Sequence, residues 1–126
     1  MREGLFGEVK DKGWYNPASY STEGSPSRDL AATIQEARSR GIEVVILLLP
    51  ERSDLRSRVP ADAMNCLNET LARGFGGDHF PPIIDLRGAI ADGQFHDTLH
   101  LNQRGRAETS RRLAEHLRKR PVKPGR

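Results

Sequence analysis

Ile42-Glu43-Val44-Val45-Ile46-Leu47-Leu48-Leu49 holds much of the apolar material of the chain and decides its fold class. The run is short, rich in β-branched residues and closed by Pro50, which is typical of a parallel strand buried on both faces. Apolar residues recur at helical spacing over Arg28–Arg40, and Gly41 follows as a helix-ending residue. A helix, a glycine and such a strand form half of an α/β repeat.

The rest of the layout continues this alternation. Helical spacing of apolar residues predicts a second helix over Ala61–Ala72 and a last one over Gln103–Lys119. Between them, Pro81–Leu86 is a second, shorter candidate strand. We expect the two strands to be parallel and joined by a right-handed crossover through the second helix. The predicted fold class is therefore α/β, with a short parallel sheet and flanking helices.

Composition limits the classes of function. The chain has 126 residues, enough for one domain with a core, and a single cysteine, Cys66, which excludes an internal disulfide and a thiolate metal cluster. The net charge is +3, and many basic residues fall in the last quarter. They alternate with Glu108 and Glu115 and match no nucleic-acid-binding motif, so we expect a solvated helix face and no nucleic-acid partner. No cofactor is predicted.

Three segments are predicted along the chain. Residues 1–27, punctuated by Gly and Pro, form an irregular arm, residues 28–119 form the domain, and residues 120–126 form a disordered basic tail. Met1–Lys10 lacks the apolar core of a secretory signal, and no apolar run approaches the length of a membrane span. No membrane segment is expected in this chain, and its compartment stays open.

The candidate site lies just before the last helix, in His96-Asp97-Thr98-Leu99-His100. A carboxylate at Asp97 can accept the Nδ1 proton of His100, fix the ring and leave Nε2 as a general base. Asn102 is placed to cap the helix that follows. The loop comes after the second strand, at the carboxyl edge of the predicted sheet, where sites form in such folds.

A metal site is the first alternative for the same stretch. His96 and His100 echo the His-Glu-x-x-His zinc motif, with Asp78 and His79 as further ligands. That motif needs a helix to bring both imidazoles to one face, whereas the cap at Asn102 favours a loop.

Three segments together resemble the C-terminal part of the SGNH (GDSL-like) hydrolases. They are Val44–Pro50, Ile83–Leu86, and Phe95–Asn102 with Gly105. The resemblance is to the branch that includes polysaccharide O-acetyl esterases and acyltransferase-like proteins. It implies a flavodoxin-like α/β/α sandwich of SGNH type, of which this chain carries only part.

The resemblance also implies roles for two residues and a substrate class. Asp97 would be the acid and His100 the base of a catalytic triad acting on an acyl ester, such as one carried by a polysaccharide. The family's Gly-Asp-Ser-type nucleophile block has no counterpart here, and Thr22-Glu23-Gly24-Ser25, its nearest imitation, lacks the preceding strand. We therefore expect the chain to be inactive alone, because triad members act as a unit.

One further expectation follows from the missing part of the fold. In the family another strand pairs with the one that matches Ile42–Leu49, so this chain, as a fragment of a longer fold, is expected to self-associate through that edge. The alternatives to an esterase are a non-catalytic interaction domain, and a metal-binding protein that uses His96 and His100.

Overall fold

The computed structural model describes residues 25–75 and 80–120. The elements, in chain order, are α1 (Ser25–Ser39), β1 (Ile46–Leu48), α2 (Ser53–Arg56), α3 (Ala63–Phe75), β2 (Ile83–Asp85), a 3-10 helix (Asp92–Gln94) and α4 (Gln103–Arg118). The described residues form two compact units, one of residues 25–36, 58–75 and 80, the other of residues 37–57 and 81–120. The predicted arm up to residue 24 and the tail from residue 121 lie outside the described residues.

The first unit contains most of α1 and all of α3, which approach closely at one glycine. A Cβ atom on Gly74 would lie 2.6 Å from the Cβ of Ala31. The side-chain amide of Gln35 donates to the carbonyl of Gly74 at 2.9 Å. Ala31, Ile34 and Leu71 are buried. The predicted helices are present, with α1 starting three residues earlier than expected and α3 shifted toward its C-terminus.

The second unit begins where α1 ends, at Gly41. Gly41 has a φ of +75°, its N–H donates to the carbonyl of Arg38 at 2.9 Å, and the N–H of Ile42 donates to Ala37 at 3.0 Å. This pair of bonds is the Schellman arrangement, in which glycine adopts the left-handed conformation without a steric penalty. The sequence prediction that Gly41 ends the helix is confirmed.

The sheet of the second unit is parallel, as predicted, and mixed α/β character is established. β1 and β2 pair in the register Ile46 to Ile83, Leu47 to Ile84 and Leu48 to Asp85. Both strands are 3 residues long, so the predicted strand over Ile42–Leu49 was too long. Pro81 and Pro82 precede β2 and have no N–H to donate, which prevents the ladder from extending in that direction.

The prediction that Ile42–Leu49 is buried on both faces was wrong. Ile42 and Leu49 are 56% and 65% exposed, and β1 itself is half-buried. A strand is buried on both faces only where other elements cover both, and the ends of this run extend beyond the paired residues. The buried apolar side chains of the second unit lie mainly after β1 and in or after β2: Leu55, Ile84, Leu86, Ile90 and Phe95.

Segments that follow the two strands are tied together by hydrogen bonds. The N–H of Glu51 donates to the carbonyl of Arg87 at 3.0 Å, which continues the pairing beyond the strands. The Arg56 guanidinium donates to both of these backbone segments, at 3.3 Å to Glu51 and 3.1 Å to Arg87. These bonds hold the carboxyl edge of the sheet, where the candidate site lies.

The basic face of α4 is neutralised in part by its own acids. Arg111 forms ion pairs with Glu108 and Glu115, and Arg112 pairs with Glu108. Hydrogen bonds from the two guanidinium groups lower the pKa of Glu108 to about 2.

Among the described helices, none combines the length and the apolar composition that a membrane span requires.

We predict that the chain self-associates through β1. Within the described residues β1 pairs only with β2, so its other edge presents unpaired backbone groups. Ile42, in the segment that leads into β1, is exposed. Sedimentation velocity should show a mass that rises with protein concentration, and Ile42→Lys should reduce that rise. Leu30→Lys, which places the same charge on an exposed apolar position of α1, is the control. A wild-type chain that stays monomeric over the whole range would disprove the prediction.

Candidate functional site

The candidate residues lie in a small closed loop between the 3-10 helix and α4. Phe95 and Leu101 form an antiparallel bridge, and the N–H of His96 donates to the carbonyl of His100 at 2.7 Å. The loop over residues 96–100 is therefore fixed at both ends by backbone bonds. The predicted loop conformation is confirmed.

Asn102 joins this loop to the helix. Its Oδ1 accepts from the N–H of Gly105 at 3.0 Å, which satisfies one of the free donors in the first turn of α4. Its Nδ2 donates to the carbonyl of Gly93 at 3.0 Å, and its own N–H donates to Gln94 at 2.9 Å. The predicted cap is confirmed, and it also ties the helix start to the 3-10 helix.

Gly105 allows the closest approach in this region. A Cβ at this position would lie 2.2 Å from the carbonyl oxygen of Gln94 and 2.9 Å from Cδ2 of Leu101. Because the first of these neighbours is backbone, it cannot move aside by a change of rotamer. Only glycine fits here without displacing the segment that leads into the loop.

Asp97 and His100 are hydrogen-bonded, as their spacing predicts. The Nδ1 atom of His100 lies 3.0 Å from Oδ1 and 2.9 Å from Oδ2 of Asp97. The same carboxylate accepts from the backbone N–H of Leu99 at 2.8 Å and of His100 at 2.7 Å. The backbone bonds fix the carboxylate, which in turn orients the ring.

These bonds determine the protonation of the pair. The N–H of Leu99, followed by the bonds from His100, lowers the pKa of Asp97 to about 2, so the carboxylate is ionised at neutral pH. An ionised carboxylate only accepts hydrogen bonds, so Nδ1 of His100 must carry the proton. In the neutral imidazole the lone pair is then on Nε2, which is the form required of a general base.

A shallow groove adjoins the pair. It has a volume of about 290 Å³ and is lined by Leu49, Pro50, Leu99, His100, Leu101 and Arg106. The His100 side chain is 73% exposed, and among the described residues none forms a hydrogen bond with Nε2. The imidazole therefore stands at an open surface.

Sequence reasoning missed a polar cluster after β1, in a segment read only as a loop. The guanidinium of Arg52 binds the carboxylate of Asp54, with Nε to Oδ1 at 2.8 Å. This bond raises the pKa of Arg52, and the charges of Asp92 and Asp97 add to the effect. The Ser-Asp pair that begins this short helix was the available signal, because Ser and Asp favour helix starts.

The cluster also contains the serine closest in sequence to β1. The backbone N–H of Ser53 donates to Oδ1 of Asp92 at 2.9 Å, and its hydroxyl donates to Oδ2 of the same residue. The hydroxyl proton is thus directed to Asp92 and away from any other base. These bonds lower the pKa of Asp92.

Compared with family models, curated proteins and solved structures, the chain finds no match. The resemblance to SGNH hydrolases therefore stays a prediction drawn from the residues themselves. The same holds for the roles of Asp97 and His100, whose geometry is described above.

The alternative metal site lacks the helix that its motif requires. His96 and His100 are at opposite ends of the closed loop and are joined through the backbone, not along a helix. In residues 25–75 and 80–120, no group of three or more His, Cys, Asp or Glu is arranged to hold a metal ion. Asp78 and His79, the further ligands proposed from sequence, lie outside the described residues.

Replacing Gly105 by alanine should destabilise the protein. Alanine is the better helix former, but the clash with the Gln94 carbonyl should outweigh that gain and cost about 1–3 kcal/mol, as overpacking typically does. Gly93→Ala is the matched control, because a Cβ at Gly93 has nothing within 4 Å. Urea unfolding measures both changes, and equal stability of the two variants would contradict this account.

The low pKa of Asp97 predicts a pH-dependent contribution to stability. In the unfolded chain the carboxyl titrates near its ordinary value of about 3.9, whereas in the folded protein its pKa is about 2. Its contribution is therefore fully present above pH ~4 and is lost as the pH falls to ~2. Asp97→Asn should flatten the stability curve in that window, relative to wild type. A ¹³C NMR titration of Asp97 with a midpoint near 4 would contradict the prediction.

Proposed function

We propose that this chain provides the acid and base of a site that hydrolyses acyl esters or transfers their acyl groups. The observation that carries the proposal is the bond between the ionised Asp97 carboxylate and Nδ1 of His100. In the neutral ring this bond puts the lone pair on Nε2, and His100 lines an open groove, where a general base has access to a nucleophile. The expected substrate is an acyl ester, for instance on a polysaccharide.

The proposal includes the SGNH-type sandwich, with β1 and β2 as two of its parallel strands. In that arrangement His100 would take the proton of a serine, the serine would attack the ester carbonyl, and N–H donors would stabilise the oxyanion. Ser53 does not suit the nucleophile role, since its hydroxyl already donates to Asp92. The proposal therefore assigns the described residues the base and its orienting acid, and no nucleophile.

The tautomer of His100 tests the proposal directly. At about pH 8, where an ordinary imidazole is neutral, ¹⁵N spectra should show a protonated Nδ1 and an unprotonated Nε2. Asp97→Asn should weaken this preference, because an amide can present a donor to the ring in place of an acceptor. His116, whose Nδ1 lies 2.9 Å from the carbonyl of Arg112, is an internal reference. A His100 protonated on Nε2 would overturn the proposal.

A second measurement separates a partial site from a complete one. We expect the chain to hydrolyse p-nitrophenyl acetate no faster than its His100→Ala variant, because a base without a nucleophile contributes little. Turnover lost in both His100→Ala and Ser53→Ala would show that the site is complete and that Ser53 is its nucleophile. A non-catalytic interaction domain predicts the same inactivity, and the bond from Nδ1 of His100 to Asp97 gives it the same tautomer.

A further inference from the structure

The groove beside His100 has walls that are unusually apolar for an exposed surface. Leu49 is 65% exposed and Leu99 is 37% exposed, and both line the groove together with Leu101 and Pro50. Scattered exposed leucines need no explanation, but apolar side chains that share one concave surface are typical of ligand sites. The volume of about 290 Å³ suits a small ligand.

The lining of the groove includes one positive charge, on Arg106, that no described ion pair neutralises. Arg106 donates through one Nη1 bond to the carbonyl of Leu101 at 3.2 Å, and in the described residues no carboxylate pairs with it. Further along the same helix, Arg111 and Arg112 are both bound by acids. The guanidinium of Arg106 thus keeps donors available for an anionic group in the groove.

Among the described residues the carboxylate of Asp97 forms no ion pair with Arg106. It accepts bonds from the N–H groups of Leu99 and His100 and from Nδ1 of the ring. Arg106 also lies in the first turn of α4, at the end of the helix whose dipole favours anions. A groove lined by leucines and a guanidinium complements a molecule with an alkyl chain and one anionic end.

We propose that this groove binds a straight-chain aliphatic carboxylate. Its alkyl chain lies against Leu49, Leu99 and Leu101, and its carboxylate is bound by Arg106 beside His100. Such a molecule is the acid released when an ester of that chain is hydrolysed. That the bound carboxylate is the acyl product of an esterase rests on the proposed function. That the groove binds the carboxylate does not. The substrate would then carry a medium-length acyl chain in preference to acetyl.

Methyl and amide NMR titrations of the full chain with octanoate, hexanoate, acetate and octanamide test this proposal. Octanoate should shift the Leu99, Leu101 and Arg106 signals saturably. A fully buried methylene tightens binding about fourfold. Hexanoate is two methylenes shorter than octanoate, and in this open groove two half-buried methylenes count as about one fully buried methylene. Hexanoate should therefore bind about fourfold more weakly than octanoate. Acetate should produce no saturable shift. Octanamide, which has the same length without the charge, should bind about tenfold more weakly than octanoate, as loss of a charge-assisted bond implies.

Matched variants separate this site from general attraction to a basic surface. Arg106→Gln should weaken octanoate binding about tenfold, whereas Arg104→Gln, at an exposed arginine outside the groove, should leave it unchanged. Leu99→Ser should abolish the difference between octanoate and hexanoate. Thermal unfolding confirms that each variant is folded. Arg106→Lys keeps the charge but loses the fork of guanidinium donors, so this variant should bind octanoate with an affinity between those of wild type and Arg106→Gln.

Several results would overturn the proposal. The first is an equal loss of octanoate affinity in Arg106→Gln and Arg104→Gln. The second is a carboxylate affinity that does not depend on chain length. The last is a set of groove signals that shift with protein concentration before ligand is added. The last would show that the groove is an interface between copies of the chain. Octanoate binding and the tautomer of His100, both measured on the wild-type chain, distinguish this proposal from the proposed function. Octanoate binding to a chain whose His100 carries its proton on Nε2 supports the groove and refutes the esterase assignment. A His100 protonated on Nδ1 in a chain that does not bind octanoate refutes the groove and leaves the esterase assignment standing.

Discussion

The arrangement of the site depends on the contact between Gly105 and the carbonyl of Gln94. Without a side chain at Gly105, the first turn of α4 lies directly against the backbone that leads into the loop. In that position Asn102 accepts a bond from the N–H of Gly105 and donates one to the carbonyl of Gly93. The bridge from Phe95 to Leu101 then closes the loop. The orientation of His100 is thus a consequence of how closely two backbones can approach.

Charge at the carboxyl edge of the sheet is organised by pairs. Asp85 binds Arg87, and Asp54 binds Arg52, in both cases with a lowered pKa of the carboxyl. Glu51 is the exception. Burial raises its pKa against the opposing charge of nearby guanidinium groups, and among the described residues its Oε2 has no hydrogen-bond partner. The edge is therefore held by ionic contacts at its surface, with one carboxyl group poorly solvated beneath them.

How much was predictable from sequence depended on the distance between interacting residues along the chain. The end of α1 at Gly41, the cap at Asn102 and the bond from Asp97 to His100 each involve neighbours within a few positions, and all were predicted. Parallel pairing was also predicted, but its extent was not. The extent of the pairing depends on Pro81 and Pro82, which lie across the sheet from the start of β1. The burial of the rest of the apolar run Ile42–Leu49 depends on which elements cover it.

The candidate site shows the same division. Its two central residues were identified by spacing, whereas the groove was not, because it brings Leu49 to residues that lie about fifty positions later in the chain. The bonds of Asp92 to Ser53 are of the same kind, with 39 positions between the partners. Helix propensities and capping rules contain no information about such pairs. The SGNH resemblance implied catalytic roles for the two central residues but described neither the groove wall nor Arg106.

The closed loop has a consequence for the order in which the protein folds. The bonds that fix His100 span at most the residues from Gly93 to Gly105, whereas β1 and β2 pair across a separation of 37 positions, from Ile46 to Ile83. Contacts between near neighbours require little loop closure and form early. The Asp97–His100 pair therefore belongs to a local folding unit that can assemble before the sheet, while the apolar groove forms only after β1 has paired.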